Sequence, residues 1–548
     1  MIRKFSKYFF ALLLTTGIFG CKKYLDVNSD PDTPQNPDPS SVMPAMLAGI
    51  PRGIQFDARY ISKYIQNLGS TAAADVWDTH GFQGFPSALD NGGDIWRQAY
   101  YGLGANLNFI INEGLKKGQW DYVGAAYALK AYMFQNCTDV YGEIIFHEAF
   151  KENTSVFKYD EQPVVYAGVD SLCRLALYNL KRDDLNPANS ALSKGDFVYD
   201  GNRAKWVKFV NGILARNFMR YSNKANFTQL ADSVIYYVDQ SFTNGADDFL
   251  IPFDATKNDD TNFFGPYRNN MAAFRQTHMI VRYLDGTSFA GSTAYANRDP
   301  RIRHMLSASQ DTTNGNGGYR SVEPGQGDPQ NANTTSRTRV AAVWGDSLYA
   351  NPSANRFDPS RGKYVWRDKV VSPIMSYSEL QFLKAEAALR KSNAALAYTA
   401  YINGINAHFD FINRTVYPRS NVQLYNGAPI TAAERAAYLA SPNVKTAATL
   451  TYADVLGQKY IAQWGWNFVE QWVDLRRWHY TDTDPLGSGP VFRNYIIPSN
   501  LQAFNQGRLA YRIRPRYNSE YVWNRPELDR IGATLPDYHL KQTWFSLP

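Results

Sequence analysis

The chain has 548 residues, 44% of them hydrophobic, and a mean hydropathy of −0.41, which is typical of a folded soluble body and not of a membrane-embedded one. This length is enough for one large domain or several smaller ones. The net charge of +7 is mild and no block of Lys and Arg accompanies it, which argues against a nucleic-acid-binding protein. Aromatic residues reach 15%, so some rings can line a binding surface while most fill the core.

The N-terminal stretch has the pattern of a secretory signal. It begins with basic residues and no acid, continues with the apolar run Tyr8–Leu14, and ends with Gly20 before Cys21. The run is too short to span a bilayer, which needs about 20 apolar residues. A cysteine at the cleavage position predicts a signal peptide over residues 1–20 and lipid attachment at Cys21. An ordinary signal peptide with an incidental Cys21, or a short membrane anchor, is the alternative.

A tether and a single domain are predicted to follow. Residues 21–40 are rich in Pro and Asp, a composition that disfavours helices and central strands, and they would hold the folded body away from the lipid. Residues 41–548 are predicted to form one domain. The chain has three cysteines, and beyond Cys21 we expect Cys137 and Cys173 to be buried free thiols, with a disulfide between them as the alternative.

The first half of the domain is predicted to be helical. Its apolar residues recur three and four positions apart, which indicates amphipathic helices that pack in antiparallel pairs. The predicted helices cover Ile95–Gly114, Trp120–Phe134, Val164–Leu180, Val207–Tyr221 and Phe227–Tyr237. The tryptophans on helix stripes are assigned to the core: Trp96, Trp120, Trp206 and Trp472.

Residues 247–368 are dense in Gly, Asn, Asp, Ser, Thr and Pro, which is typical of loops. We expect ordered loops, because disordered segments are poor in aromatic residues and this one is not. A flexible linker is the alternative. The aromatic residues concerned are Tyr319, Trp344, Tyr349, Tyr364 and Trp366.

Helices return after this region. Ser376–Glu379 and Thr431–Glu434 each have the spacing of a capping box, in which a hydroxyl and a carboxylate satisfy the first free amides. Further helices are predicted over Ala394–Ile412 and Lys459–Trp478. Helical pairs at intervals of roughly 30 to 40 residues predict an all-α fold, a TPR-like superhelix with long loop-rich insertions and little β structure.

The sequence shows none of the common catalytic or metal-binding motifs. No metalloprotease, serine-hydrolase, phosphate-loop or dinucleotide-binding pattern is legible, and the histidines share no ligand spacing. His80 and His304 are read as hydrogen-bonded structural residues before they are read as ligands. No cofactor is expected. A structural calcium ion is left open at Asp254–Asp260 and Asp482–Asp484, although solvated acidic turns explain both stretches better.

Several short motifs together resemble one family. In chain order they are Cys21–Asp26, Thr138–Glu143, Ser376–Ala387, Glu470–Trp478 and Arg514–Glu520. Each is weak alone, but their order behind a lipidation signal and a Pro-rich tether is specific. With them the whole chain resembles the SusD/RagB family of nutrient-binding lipoproteins of the outer membrane.

The resemblance implies both a place and a role. A lipid-anchored protein on the exterior face of the outer membrane would capture a glycan and act as a lid on a SusC-like TonB-dependent transporter, without catalysis. The membrane would be touched through the lipid anchor alone. The motifs themselves would serve the scaffold, with Trp472 and Arg476 as core and helix-end residues. A peptide-binding member of the family is the nearest alternative, and a surface glycoside hydrolase or a purely structural assembly protein is further away.

The ligand-binding residues do not follow from the family motifs, because its ligand sites lie in variable loops. We therefore choose loop-borne aromatic residues with polar neighbours, since flat rings stack on sugars and polar groups fix their orientation. One group lies between two helical regions and the other in the loop-rich region. The predicted ligand-binding residues are Asp75, Trp77, Asp78, His80, Phe82 and Phe85, together with Tyr319, Trp344 and Tyr349.

Overall fold

The computed structural model describes residues 37–81, 93–184, 191–290, 295–333, 335–345, 362–416, 428–515 and 519–548. The predicted signal peptide, the lipidation residue Cys21 and most of the predicted tether lie outside these ranges. Among the described residues, no helix is long and apolar enough to cross a membrane.

The described elements are mostly helices. The helices are α1 (Pro39–Tyr64), α2 (Asp94–Arg97), α3 (Gly104–Lys117), α4 (Trp120–Tyr141), α5 (Gln162–Leu180), α6 (Arg203–Met219), α7 (Phe227–Asp239), α8 (His278–Asp285), α9 (Thr287–Ala290), α10 (Ile302–Met305), α11 (Tyr377–Arg390), α12 (Ala394–Phe411), α13 (Ala432–Leu439), α14 (Tyr452–Gln463), α15 (Phe468–Arg477) and α16 (Arg525–Ile531). The strands are β1 (Leu68–Ser70), β2 (Phe249–Phe253), β3 (Phe274–Gln276) and β4 (Val370–Met375).

The helices form one continuous stack. Helices α3 to α7 each pack on the next in the chain, α7 packs on α11, and α11 packs on α12 and α14. The described strands form two small antiparallel sheets, one with Leu68 opposite Gln276 and the other with Phe253 opposite Val370. The predicted helical fold with little β structure is confirmed.

Helix α1 was not predicted, and it begins inside the predicted tether. Pro39 occupies its first turn, where a missing N–H costs nothing, and the Asp38 side chain accepts a hydrogen bond from the Ser40 amide at 3.0 Å. Two further prolines inside the helix, Pro44 and Pro51, lower the helix propensity of this segment, so the sequence did not predict a helix here. Packing of its apolar face against the core outweighs that local cost.

Two predicted helices are interrupted. The helix expected over residues 95–114 contains a π-helical turn, Gln98–Gly102, between α2 and α3. The helix expected over Lys459–Trp478 is two helices, α14 and α15, because the chain turns at Gly465 with φ of +84°. Apolar periodicity continues across both breaks and therefore did not reveal them.

One predicted capping box is complete and the other is not. In the first, the Thr431 and Glu434 side chains cap each other's backbone amides. In the second, the Ser376 hydroxyl accepts from the Glu379 amide at 3.2 Å, but the Glu379 carboxylate pairs with Arg216 at 2.6 and 2.7 Å. A buried arginine supplies more hydrogen-bond donors than a helix-end amide, so the carboxylate turns into the core.

Three of the family-like motifs, Thr138–Glu143, Ser376–Ala387 and Glu470–Trp478, contribute charged side chains to what we call the ion-pair core. Its side chains come from helices α4, α6, α11, α14 and α15 and are almost completely buried. They are Asp139, Arg216, Arg220, Glu379, Glu386, Lys459, Glu470, Asp474 and Arg477. Since each charge contacts an opposite one, the motifs serve the scaffold.

Most core assignments made from sequence hold. Trp96, Trp206 and Trp472 are buried, whereas Trp120 is only partly buried and carries the Arg182 guanidinium 3.7 Å above its ring. The Arg476 guanidinium lies 3.8 Å from the Trp472 ring and donates to the Asp139 and Tyr511 carbonyls, so it joins helices instead of capping α15.

The loop-rich region is ordered where it is described, as predicted. Its aromatic residues Trp344, Tyr364 and Trp366 are buried in the main core. Cys137 and Cys173 are buried free thiols, again as predicted. Strand β3 leads directly into α8, and this connection places the end of α8 beside the glycine-rich loop described next.

Candidate functional site

A glycine-rich loop, Asn314–Tyr319, carries the candidate site. Gly315, Gly317 and Gly318 have φ of +83°, +91° and +85°, a conformation that residues with a Cβ rarely adopt. Between them Asn316 is buried, accepts from the Tyr319 amide at 3.1 Å and donates to the Tyr319 carbonyl at 2.9 Å. The loop therefore holds the partly buried Tyr319 in a fixed position.

Tyr319 lies between two open cavities, and we call the cavities and this ring the Tyr319 cleft. The first cavity has a volume of about 430 Å³ and the second about 530 Å³. The first is lined by side chains that include Tyr295, Asn297, Arg298, Arg303 and Glu434. The second is lined by His278, Arg282, Asp285, Arg320, Glu323 and Asp328, among others.

In the first cavity a ring and a cation crowd around the glycine-rich loop. A Cβ on Gly317 would lie 2.5 Å from Arg298 Nη1 and 3.5 Å from Tyr319 Cε2. A Cβ on Gly315 would lie 2.9 Å from a ring carbon of Tyr295. Because glycine has no side chain, Gly315 and Gly317 leave room for Arg298 and both tyrosines to pack against the loop on one side of the cavity.

Deeper in the first cavity, a surface arginine is neutralised. Arg303 donates to both carboxylate oxygens of Glu434, at 2.7 and 3.0 Å. The hydrogen bond from Arg303 is the main reason that the pKa of Glu434 falls to about 2. Glu434 also caps α13 through Thr431, so this pair fixes the wall of the cavity.

The second cavity is lined by polar groups that mostly have partners. His278 Nε2 lies 2.6 Å from the Asn494 carbonyl, which assigns the proton to this nitrogen, and burial lowers the pKa of the ring. Asp328 accepts from the amides of Gln330 and Val340 at 2.9 and 3.0 Å. Such a cavity presents pre-positioned donors and acceptors to a polar ligand.

The cleft can bind a ligand that offers both a flat apolar face and many hydrogen-bonding groups. A tyrosine ring between polar walls suits a sugar, whose C–H face stacks on the ring while its hydroxyls meet the polar side chains. A peptide offers similar groups. No group of three or more His, Cys, Asp or Glu within the described part of the chain could hold a metal ion.

Of the predicted ligand-binding residues, Tyr319 lies in the cleft and Trp344 does not. Trp344 is 1% exposed, and its indole N–H donates to the Phe264 carbonyl at 2.7 Å. Its ring is therefore a core residue and offers no face to a ligand in this conformation.

The predicted group near residue 77 is also turned inward. Trp77 is 3% exposed and its ring centroid lies 4.8 Å from that of Tyr60 and 5.5 Å from that of Tyr64. His80 is fully buried, its Nδ1 accepts from the Ala510 amide at 3.0 Å, and burial lowers the pKa of the ring to about 3. His80 is thus the structural residue that a lone histidine usually is.

The two predicted carboxylates hold the backbone of this turn. Asp75 accepts from the Trp77 amide at 2.9 Å and pairs with Lys63 at 2.8 Å. Asp78 accepts from the Ser70 amide at 2.8 Å, and burial raises its pKa to about 7. Neither is arranged toward the Tyr319 cleft. The remaining predicted residues, Phe82, Phe85 and Tyr349, lie outside the described ranges.

Sequence reasoning missed Tyr295 and Arg298. Both follow α9 and stand in the same loop-rich region as Tyr319, and the pair Tyr295–Arg298 combines a ring with a cation within one turn. That combination near a run of glycines was a usable signal. The criterion of an aromatic ring with small or polar neighbours does not include cations, so it does not select Arg298.

Comparison with known proteins agrees with this architecture. Residues 32–500 match the SusD-like family, described as "Starch-binding associating with outer membrane". A search of curated proteins finds no match.

Solved structures share the fold at low sequence identity. A protein described as chitin-binding is 20% identical, with a TM-score of 0.66 over 93% of this chain and 100% of its own. A SusD/RagB family protein from Bacteroides thetaiotaomicron is 22% identical, with a TM-score of 0.63 over 92% and 98%. A chitin-binding SusD homologue from Flavobacterium johnsoniae is 21% identical, with a TM-score of 0.61 over 93% and 98%.

Proposed function

We propose a function from one premise: this chain belongs to the SusD-like family of starch-binding proteins that associate with the outer membrane. In this proposal the protein captures a glycan at the cell surface and binds it in the Tyr319 cleft. The captured glycan is then delivered to a SusC-like TonB-dependent transporter, over which the protein acts as a lid. Binding, and not cleavage, is its task.

The observation that carries the proposal is the position of Tyr319. A half-buried ring, fixed by a glycine-rich loop, separates two polar cavities of about 430 and 530 Å³. One sugar unit stacks on the ring while neighbouring units enter the cavities on either side. A chain-like ligand fits this arrangement better than a compact metabolite does.

The proposed anchor is lipid on Cys21. The sequence before it has the pattern of a lipoprotein signal, and the family description places such proteins at the outer membrane. Several acyl chains on one cysteine hold a protein firmly, since each buried methylene adds about 0.8 kcal/mol. A Cys21→Ala variant is expected to leave the membrane fraction and to incorporate no radiolabelled palmitate.

Glycan capture is tested on the full chain extracted in detergent. Affinity electrophoresis in gels that contain starch, chitin derivatives or other polysaccharides is expected to show retardation by at least one glycan. Tyr319→Ala is expected to weaken that binding about tenfold, because the stacking face is removed. The matched control is Tyr101→Ala, which removes a tyrosine that is 75% exposed and distant in sequence from the cleft.

Each failure has a distinct meaning. Retardation that survives Tyr319→Ala would keep glycan capture but remove the cleft as its site. No retardation by any glycan, together with peptides that co-purify with the protein, would replace the glycan with a peptide ligand. Release of shorter products from a bound polysaccharide would contradict the non-catalytic role.

A further inference from the structure

Arg298 stands out among the arginines of the Tyr319 cleft. Its side chain is exposed at the first cavity, and its Nη1 donates to the Asn316 carbonyl. Among the described residues, no carboxylate forms an ion pair with it within 4 Å. The loop carbonyl orients the guanidinium, which carries further N–H donors and lines the first cavity, so it can bind an anion.

The other arginines nearby are already neutralised. Arg303 forms a bidentate pair with Glu434, Arg320 lies 3.2 Å from Asp311, and buried Arg301 lies 2.6 Å from Asp299. These pairs occupy the carboxylates that line the first cavity, Asp299 and Glu434. The lining itself balances two arginines against two carboxylates, but Arg301 behind the wall neutralises Asp299, so Arg298 is left as the charge of this cavity that has no ion-pair partner among the described residues.

The second cavity is lined by more carboxylates than arginines. Arg282 donates to the Asn494 side chain at 3.2 Å, and the exposed Glu323 lines the same cavity. Asp285 accepts hydrogen bonds from Thr287 and Asn316, and Asp328 accepts from backbone amides. Three carboxylates thus face two arginines in this cavity, and one of these arginines, Arg320, already pairs with Asp311, so the second cavity does not favour an anion.

We propose that the Tyr319 cleft selects an anionic glycan, with the negatively charged group of one sugar bound by Arg298 in the first cavity. This inference rests on the proposed function. The sugar ring stacks on Tyr319, beside which Gly317 leaves room for the guanidinium, and an uncharged unit enters the second cavity. A planar guanidinium binds two oxygens of one group at once, and both a uronic-acid carboxylate and a sugar sulfate offer such a pair.

The test compares glycans that differ only in charge. Partly methyl-esterified polygalacturonate is measured against its fully esterified form, and dextran of low sulfate content against dextran, by isothermal titration calorimetry with the full chain in detergent. We expect one of the charged forms to bind about tenfold tighter than its neutral counterpart, with affinity falling as salt rises. The charged pair that shows the preference identifies the anion as carboxylate or sulfate.

Two variants assign the preference to its residue. Arg298→Gln is expected to remove the preference, so that the charged and neutral forms bind with equal affinity. Arg337→Gln removes the same charge from an exposed arginine of the same loop region that lines neither cavity, and it is expected to keep the preference.

Several outcomes would overturn the inference. If Arg298→Gln and Arg337→Gln reduced the preference for the charged glycan equally, the attraction would be non-specific. If the wild type bound charged and neutral forms with equal affinity, the cleft would not select anions. In both cases glycan capture stands, provided that Tyr319→Ala still weakens it. Binding of no glycan, charged or neutral, would instead contradict the proposed function itself. If an acidic peptide bound to the wild type and did not bind to Arg298→Gln, the proposed ligand would be a peptide and not a glycan.

Discussion

The ion-pair core and the Tyr319 cleft use the same residue types in opposite ways. In the core, each charged side chain is almost completely buried and touches an opposite charge, as Arg477 does with Glu386 at 2.8 Å. In the cleft, Arg282, Arg298 and Glu323 are exposed, and no carboxylate of the described residues forms an ion pair with Arg298. The difference teaches that a charged residue acts in the scaffold when the protein supplies its partner, and in binding when the partner must come from outside.

The largest expected effect is the loss of a charge from the ion-pair core. Arg220 contacts both Asp139, at 2.7 Å, and Glu470, at 2.5 Å. Arg220→Met would leave two buried carboxylates short of a partner, which lowers the free energy of unfolding by about 3–5 kcal/mol. Thermal and denaturant unfolding measure this loss.

The control for Arg220 is an arginine at the surface. Arg525 is half-exposed and lies 3.6 Å from Asp529, so Arg525→Met is expected to change stability by less than about 0.5 kcal/mol. If both variants were equally stable, burial and pairing would not distinguish the core from the surface, and the comparison would fail.

A second prediction concerns Trp344, which sequence reasoning placed in the binding site. Trp344→Phe removes the indole donor of a buried hydrogen bond and leaves the Phe264 carbonyl unsatisfied, at a cost of about 1–3 kcal/mol. Glycan affinity is expected to stay unchanged. If Trp344→Phe bound glycan more weakly and unfolded at the same stability as the wild type, Trp344 would instead be part of the binding surface.

A third prediction uses two glycines with the same backbone conformation. Gly317 and Gly489 have φ of +91° and +88°, but a Cβ on Gly317 would meet Arg298 whereas a Cβ on Gly489 would meet nothing within 4 Å. Each Gly→Ala change is expected to lower stability by about 1 kcal/mol, because the left-handed backbone strains alanine. Only Gly317→Ala is expected to weaken glycan binding, since it displaces Arg298 from Tyr319. Equal affinity of both variants would contradict the role of the loop in the cleft.

The scaffold was more predictable from sequence than the site. Apolar spacing at three and four residues located α5 to within two residues of its start, since packing of a helix face is a local, repeating demand. Short motifs such as Glu470–Trp478 were assigned to the scaffold, but the buried ion pairs that they form were not predicted. Breaks such as Gly465 escaped, because a single backbone angle leaves no periodic trace.

The site was less predictable because a loop residue's exposure depends on distant packing. The sequence surroundings of Trp77 and Trp344 are those expected of a ligand-stacking ring, but both side chains are buried by contacts with Tyr60 and Phe264, respectively. Tyr319 was chosen by the same criterion as these tryptophans, an aromatic residue in a loop with small or polar neighbours, and it is the one of the three that lines a cavity. The partner of the glycine run before Tyr319, Arg298, comes from a different loop, and only the folded chain brings them together.

The smallest expected effect tests whether Asp78 belongs to the scaffold. Burial, the main cause, raises the pKa of Asp78 from 3.8 to about 7, so the folded state holds this proton between about pH 4 and 7 while the unfolded state has released it. Stability contributed by Asp78 is therefore present at low pH and falls as pH rises through that window. Asp78→Asn keeps an acceptor for the Ser70 amide without a charge, so the variant is expected to become more stable relative to the wild type as the pH rises from 4.5 to 8. Unfolding curves across this range measure the gain, and Asp259→Asn at an exposed position should run parallel to the wild type. If the stability of Asp78→Asn also changed with pH in parallel with the wild type, the Asp78 carboxylate would be solvated, as a ligand-facing group would be. Asp78 would then belong to the binding surface and not to the scaffold.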